Sequence, residues 1–134
     1  GRWQGGEKVI YTDGNFRGGS LCFDNNHEAP VNSRVCAMDL DNVSLERNAF
    51  QIITNVLRQK DTSLTRLSMQ RIRIGVELMG NGEAELIADA LRNNTTLTHL
   101  RLSQNEIGNG GCRVLAMTLS NNGSTLTSID LSYN

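Results

Sequence analysis

Aromatic rings, net charge and long apolar runs are all scarce in this chain. Trp, Tyr and Phe together make up 4% of the 134 residues. A core built around large rings is therefore excluded, and aliphatic side chains must fill it. The formal net charge of −1 supplies no long-range attraction for a nucleic acid or an anionic membrane, so neither is expected as a partner. No apolar run approaches the ~18 residues of a membrane span, which argues against membrane insertion. The three cysteines, Cys22, Cys36 and Cys112, are odd in number and form no C-x-x-C pair. Neither a disulfide framework nor a zinc site is indicated, and reduced thiols in an intracellular compartment are the simpler reading.

What the chain does have is a recurring apolar pattern. Val35-x-x-Met38-x-Leu40, Leu64-x-x-Leu67-x-Met69, Leu97-x-x-Leu100-x-Leu102 and Leu126-x-x-Ile129-x-Leu131 superpose, with first positions 29, 33 and 29 residues apart. Each interval holds one short strand, one helix and two turns, which is the signature of a leucine-rich repeat. The third unit is the clearest. Leu97, Leu100 and Leu102 point inward from a strand, and Val114, Leu115 and Leu119 form a helical stripe that covers them. The preceding helix repeats the same signature, with Gly80, Gly82, Leu91 and Asn94 matching Gly108, Gly110, Leu119 and Asn122 at an offset of 28. Asn81 is a candidate N-cap, and Glu83 and Glu85 sit near the positive end of that helix dipole. In the first unit, Phe50, Ile53, Val56 and Leu57 mark a helix running to about Lys60. The recurrent glycines read as tight strand-to-helix turns. They are not phosphate loops, because no Gly-Lys-Ser/Thr follows them.

The second unit carries an irregularity. Its segment from Gln70 to Met79 is roughly five residues longer than its counterpart, and extra residues in a repeat are displayed on a loop. Residues 1–34 fit the repeat poorly. They are rich in glycine, with a turn signal at Asp13-Gly14 and short apolar stretches at Val9–Tyr11 and Leu21–Phe23. Such a segment reads either as a hairpin-like cap or as a degenerate earlier repeat. The expected fold is thus an α/β solenoid with a parallel inner β-sheet and outer helices over residues 35–134, preceded by an irregular N-terminal cap. The sequence starts without methionine and stops just after a fourth strand motif, so it reads as a fragment of a longer chain, and Ile129 and Leu131 are expected to be exposed.

The form L-x-x-L-x-L-x-x-N-x-I/L-G, followed by a helix and paired asparagines, resembles the ribonuclease-inhibitor-like class of leucine-rich repeats. The resemblance covers residues 35–134. It implies a turn asparagine at the ninth position that pairs buried backbone groups. Asn105 and Asn134 occupy that position, whereas Val43 and Ile72 replace it in the first two units, so the asparagine ladder should be absent there. Members of the class include ribonuclease inhibitor, the Ran GTPase-activating protein, sensor domains of NOD-like receptors and many ciliary and cytoskeletal scaffold proteins. The resemblance therefore implies an intracellular, cytoplasmic or cytoskeletal, protein-binding scaffold without cofactor or metal. Its alternatives are a GTPase-activating domain, in which Arg71, Arg73 or Arg101 would assist phosphoryl transfer, and the ligand-sensing repeats of a NOD-like receptor. The fold by itself does not choose the partner.

Strand residues between the core positions should line the concave face. They are Asp39 and Asp41; Arg66, Ser68 and Gln70; His99, Arg101 and Ser103; and Ser128 and Asp130. Adjacent strands lie ~4.8 Å apart, so Arg66, His99 and Arg101 are expected to form a cationic patch flanked by Asp39 and Asp130, suited to a charged protein surface. The alternative for these groups is a solvated face with internal ion pairs. A second candidate surface is the inserted segment with Arg71, Arg73 and Glu77. His99, Ser128 and Asp130 contain the residue types of a hydrolase triad, but an open sheet offers neither water exclusion nor oxyanion donors.

Overall fold

The computed structural model describes residues 9–11, 15–16, 37–59, 64–121 and 124–134. Within them the chain alternates strand and helix as a solenoid. A parallel five-stranded sheet runs in the spatial order β1 (Val9–Tyr11), β3 (Ala37–Asp39), β5 (Arg66–Ser68), β8 (His99–Arg101) and β9 (Ser128–Asp130). Three helices, α1 (Arg47–Arg58), α2 (Asn81–Leu91) and α3 (Asn109–Asn121), return the chain between successive strands. Each strand is three residues long because only its central residue faces the core. Leu67 and Leu100 pair in register and are fully buried, and the next strand brings Ile129 to the same position, where it is 36% exposed. Leu64, Met69, Leu97 and Leu102 close the core above and below that row.

The helices complete the same core. In α1 the buried residues Ala49, Phe50, Ile53, Thr54 and Leu57 follow helical spacing, and the helix ends at Arg58, slightly before Lys60. In α2 the buried stripe is Ala84, Ile87, Ala88, Ala90 and Leu91. In α3 the stripe is rotated from the expected one: Leu115 and Thr118 are buried, while Val114 and Leu119 are only partly so. Gly111 explains the rotation. A Cβ there would lie 2.8 Å from Ile107 Cγ2 and 3.0 Å from Ala84 Cβ, so α3 packs on α2 through its glycine face. Close approach thus requires glycine at Gly111 and, less tightly, at Gly108, whereas a Cβ on Gly82 would meet nothing within 4 Å, and among the described glycines only Gly75 has a positive φ.

Among the described residues, the second residue of the turn that follows a strand of this sheet is strained in a periodic way. Asn42, Arg71, Gln104 and Tyr133 all take left-handed backbone, with φ of 62°, 49°, 59° and 55°. Three of their N–H groups then donate to the next repeat: Asn42 to Gln70 O at 2.9 Å, Arg71 to Ser103 O at 3.1 Å and Gln104 to Ser132 O at 3.0 Å. The bend that ends a strand therefore supplies a bond to its neighbour.

Turn asparagines fill the remaining needs. Asn105, almost fully buried, accepts the Ile72 N–H at 2.8 Å and donates to Met69 O at 3.0 Å and Leu102 O at 2.9 Å. Asn134 accepts the Ile107 N–H at 3.1 Å and donates to Leu102 O and Leu131 O, both at 2.9 Å. As the sequence implied, no such amide exists at Val43 or Ile72, whose side chains are buried in the core. A second ladder takes over there. β2 (Asn15–Phe16) pairs parallel with β4 (Ser44–Leu45), and β4 pairs parallel with β6 (Arg73–Ile74).

Two expectations change. The Gln70–Met79 insertion is not a loop: β6 turns back into β7 (Glu77–Leu78) as an antiparallel hairpin on the edge of that second ladder. Asn81 does not cap its own helix. Gly80 holds the N-cap position of α2, and Asn81 Oδ1 accepts N–H groups from Gly108 at 2.8 Å and Gly111 at 2.9 Å, so it caps α3 instead. Within residues 1–34, read either as a hairpin-like cap or as a degenerate repeat, Val9–Tyr11 is described. It lies parallel to Ala37–Asp39 in the manner of a repeat strand, while Leu21–Phe23 and Cys36 fall outside the described residues.

Three substitutions test this account. Asn105→Ala takes the side-chain partner from the Ile72 N–H and the Met69 carbonyl in the interior, while Leu102 O keeps its bond from Asn134, and should cost roughly 1–3 kcal/mol in denaturant unfolding. Asn134→Ala should cost less, because water reaches that exposed turn; equal costs would contradict the burial argument. Gly111→Ala should lower the thermal midpoint through the α2–α3 clash, and an unchanged melt would show that the helices separate freely.

Candidate functional site

The outward residues of the five-stranded sheet come together in two rows. Register places Ala37, Arg66, His99 and Ser128 side by side in one row, and Asp39, Ser68, Arg101 and Asp130 in the other. Side chains alternate along a strand, so residues two apart share a face. Arg66 and His99 are therefore direct neighbours, Arg101 follows His99 on the same strand, and Asp130 lies beside Arg101. All four are half-buried, held by short rigid strands with their polar ends near solvent.

Not every expected residue reaches the surface. Ser68 and Ser103 are buried at 1% and 3% exposure, and Asp39 at 7%, which corrects their assignment to an open binding face. The reason is side-chain length combined with local bonding. The Ser68 hydroxyl donates to Asp41 Oδ1 at 2.6 Å, and the same oxygen accepts the Gln70 N–H at 3.0 Å. Asp39 Oδ1 accepts the Asp41 N–H at 3.1 Å. These short groups stay at the backbone and brace one turn to the next strand. Asp39 is thus largely covered, and Asp41 and Gln70 are half-buried at the rim of the patch.

Asp130 does provide an acidic flank. Its Oδ1 accepts the Ser132 hydroxyl at 2.6 Å and the Ser132 N–H at 3.0 Å. Those two bonds, helped by the nearby Arg101 charge and opposed by slight burial, hold its carboxyl below the ordinary aspartate pKa. Arg101 thus retains an anionic neighbour at pH values where a free aspartate begins to protonate.

The hydrolase constellation does not assemble. His99 Nδ1 lies 2.8 Å from Thr98 Oγ1, and that hydroxyl is also 3.0 Å from Thr65 O. The consistent proton arrangement has Nδ1–H donating to Thr98 and Thr98 donating to the carbonyl. Asp130 Oδ1 is engaged by Ser132 and His99 Nδ1 by Thr98, so the carboxylate–imidazole pairing of a triad is not formed between them. Among the described residues no group of three His, Cys, Asp or Glu side chains is placed to hold a metal, and no helix is long and apolar enough to cross a membrane.

The inserted segment forms a separate surface. Arg71, Arg73 and Glu77 are exposed, and Val76 at the hairpin tip is 86% exposed. Sequence reasoning named the three charged residues but missed Val76. The available signal was Gly75-Val76 between two short β-forming pairs, since glycine in the first position of a two-residue connection favours a tight hairpin.

Comparison with known proteins agrees with this geometry. The model of a family described as "Leucine Rich repeat" matches residues 93–116. The chain is also similar to "NACHT, LRR and PYD domains-containing protein 5" of Mus musculus, 32% identical over 88 residues, a match that covers 66% of this chain and 7% of the relative.

The acidic flank can be checked directly. Ser132→Ala removes the hydroxyl donor, so the Asp130 pKa should rise toward the ordinary aspartate value in a carbon-detected NMR titration. The sign follows from linkage. A depressed carboxyl adds stability above its unfolded pKa and loses it as pH falls through the folded value, so the variant should lose less stability than wild type between neutral and acid pH. An unmoved titration would mean that Ser132 does not set the charge of this face.

Proposed function

We propose, from the premise that the chain is a leucine-rich repeat protein, that it works as a non-catalytic protein-interaction module belonging to a larger assembly. The reading rests chiefly on the register of the inner sheet. It sets Arg66, His99, Arg101 and Asp130 on one face, each on a strand that is hydrogen-bonded to its neighbours. A rigid, open, mixed-charge surface suits a macromolecular partner of complementary charge, because the side chains lose little freedom on association. Gln70, Asp41 and Ser128 complete the rim of the proposed contact area, while Ser68, Ser103 and Asp39 support it from beneath.

Two further observations fit an intracellular setting for this module. Cys112 is a free thiol packed against the core. Asn94, which stands in a glycosylation sequon, is buried with its amide donating to Leu57 O and accepting from the N–H groups of Thr96 and Leu97. A glycan on its Nδ2 would have to be accommodated at this buried site, beside the bond to Leu57 O.

A second reading takes its support from the similarity to a protein named for NACHT, LRR and PYD domains. In that reading the chain is the repeat region of a multidomain sensor of the NOD-like type, and the same face receives the ligand or a regulatory domain. No comparable observation favours a GTPase-activating role.

The decisive measurement is affinity purification of the full-length protein with quantitative mass spectrometry, wild type against Arg66→Glu/Arg101→Glu. Charge reversal at partly exposed strand positions should leave the fold intact, with a cost of about 0.5 kcal/mol or less, and should remove the main partners. Retention of every partner by the folded double variant would defeat the concave-face assignment.

A further inference from the structure

The insertion hairpin is built with a firm base and an unsupported tip. Ile72, Ile74 and Met79 are buried in the core at its base. Backbone bonds tie it to both sides: Arg73 N–H donates to Val43 O at 3.1 Å, Gly75 N–H to Leu45 O at 3.0 Å, Met79 N–H to Ile72 O at 2.9 Å, and Glu106 N–H from the third repeat donates to Met79 O at 2.8 Å. Gly75, at φ 70°, makes the tight connection, and Val76 beside it meets almost nothing.

Folding does not call for valine at that place. A two-residue turn with positive φ at its first central residue needs glycine there, and small polar residues are the usual neighbours. A β-branched apolar side chain at the tip of a rigid hairpin is a local departure that the fold leaves unused, and such departures concentrate at functional positions. The charges around it are also uncommitted. Arg71 and Arg73 are exposed and make no ion pair among the described residues, and a single exposed carboxylate, Glu77, offsets them.

We infer that this hairpin is a docking knob: Val76 enters an apolar pocket on a folded protein partner, and carboxylates at the pocket rim engage Arg71 and Arg73. The partner chemistry follows from the residues. One small branched side chain fits a pocket of single-residue size, and guanidinium groups pair with planar carboxylates through two parallel hydrogen bonds. The preformed base keeps the ordering cost of association low. The inference rests on the interaction-module reading but uses another surface, since the hairpin belongs to the second ladder and not to the sheet that carries Arg66 and Arg101.

The test is site-specific photo-crosslinking of the full-length protein in its native cells, with benzoylphenylalanine at Glu77 and, as a control, at the exposed helix residue Gln51. Each protein captured from position 77 but not from 51 is purified and titrated with wild type, Val76→Asp, Val76→Ser, Arg71→Glu/Arg73→Glu and Arg66→Glu/Arg101→Glu. The serine variant suits the turn and guards against misfolding, which thermal melts will monitor. Expected are a roughly tenfold or greater loss of affinity for the three hairpin variants, a wild-type affinity that weakens with added salt, and crosslinks that map to a pocket edged by Asp or Glu. Absence of a crosslink specific to position 77, crosslinks only to nucleic acid or lipid, or unchanged affinity of the folded hairpin variants would overturn the knob. Loss of partners with Arg66→Glu/Arg101→Glu alone would do so too, while leaving the interaction-module reading in place. Failure of that broader reading would show instead as no partner in the purification above.

Discussion

The fold depends on the exchange of backbone hydrogen bonds between successive repeats. A strand of three residues cannot satisfy its own turn, and a buried N–H or carbonyl without a partner is costly. Here each turn is completed by the next unit. The left-handed residue after a strand donates forward, as Asn42 does to Gln70 and Arg71 to Ser103. The asparagine of a later repeat reaches back, as Asn105 does to Ile72 and Met69. Helix ends follow the same rule, with Asn94 bonded to Leu57 O and Asn81 capping α3. No repeat is complete alone, which is why a stack of this kind folds by propagation between neighbours.

Two solutions to the same need coexist in one molecule. Where the turn position is asparagine, its amide supplies the bonds and the following residues form no strand. Where the position is Val43 or Ile72, an apolar side chain enters the core and the main chain pairs with itself across repeats through β4 and β6. Glu83 shows a similar economy at the helix starts. Burial alone would raise its pKa, but the Gly80 N–H at 3.0 Å, its own N–H and the Arg47 guanidinium at 3.2 Å together hold it below the ordinary glutamate value. Its charge thus ties α1 to α2 at the positive end of a helix.

The proposed contact surfaces inherit their rigidity from this exchange. Arg66, His99 and Arg101 project from strands whose backbone is fully engaged with neighbours, and the hairpin behind them is anchored by three buried aliphatic side chains. Both surfaces present their side chains from hydrogen-bonded strands, an arrangement that suits the contact with another large molecule proposed above.

The sequence by itself determined the repeat, the register and the central core row. Apolar positions recur with a spacing that fixes which residue of each strand faces inward, and register then follows because a slip of one residue would turn Leu67 or Leu100 to water. The absence of the ladder at Val43 and Ile72 was legible for the same reason: residue type at one position decides it. Tertiary structure alone decided what depends on distances between repeats. Ser68, Ser103 and Asp39 alternate outward like Arg101 yet are buried, with Ser68 ending on Asp41 of the neighbouring turn and Asp39 on its own turn, and no pattern along one strand records that cover. Asn81 looked like a cap for its own helix because capping was judged locally, whereas its acceptor faces the next helix across the contact that Gly111 permits. The insertion, read as a loop from its length, became a hairpin because an unpaired edge of the second ladder stood beside it. Periodicity encodes which way a residue faces, but reach, cover and pairing are set only when the units stack.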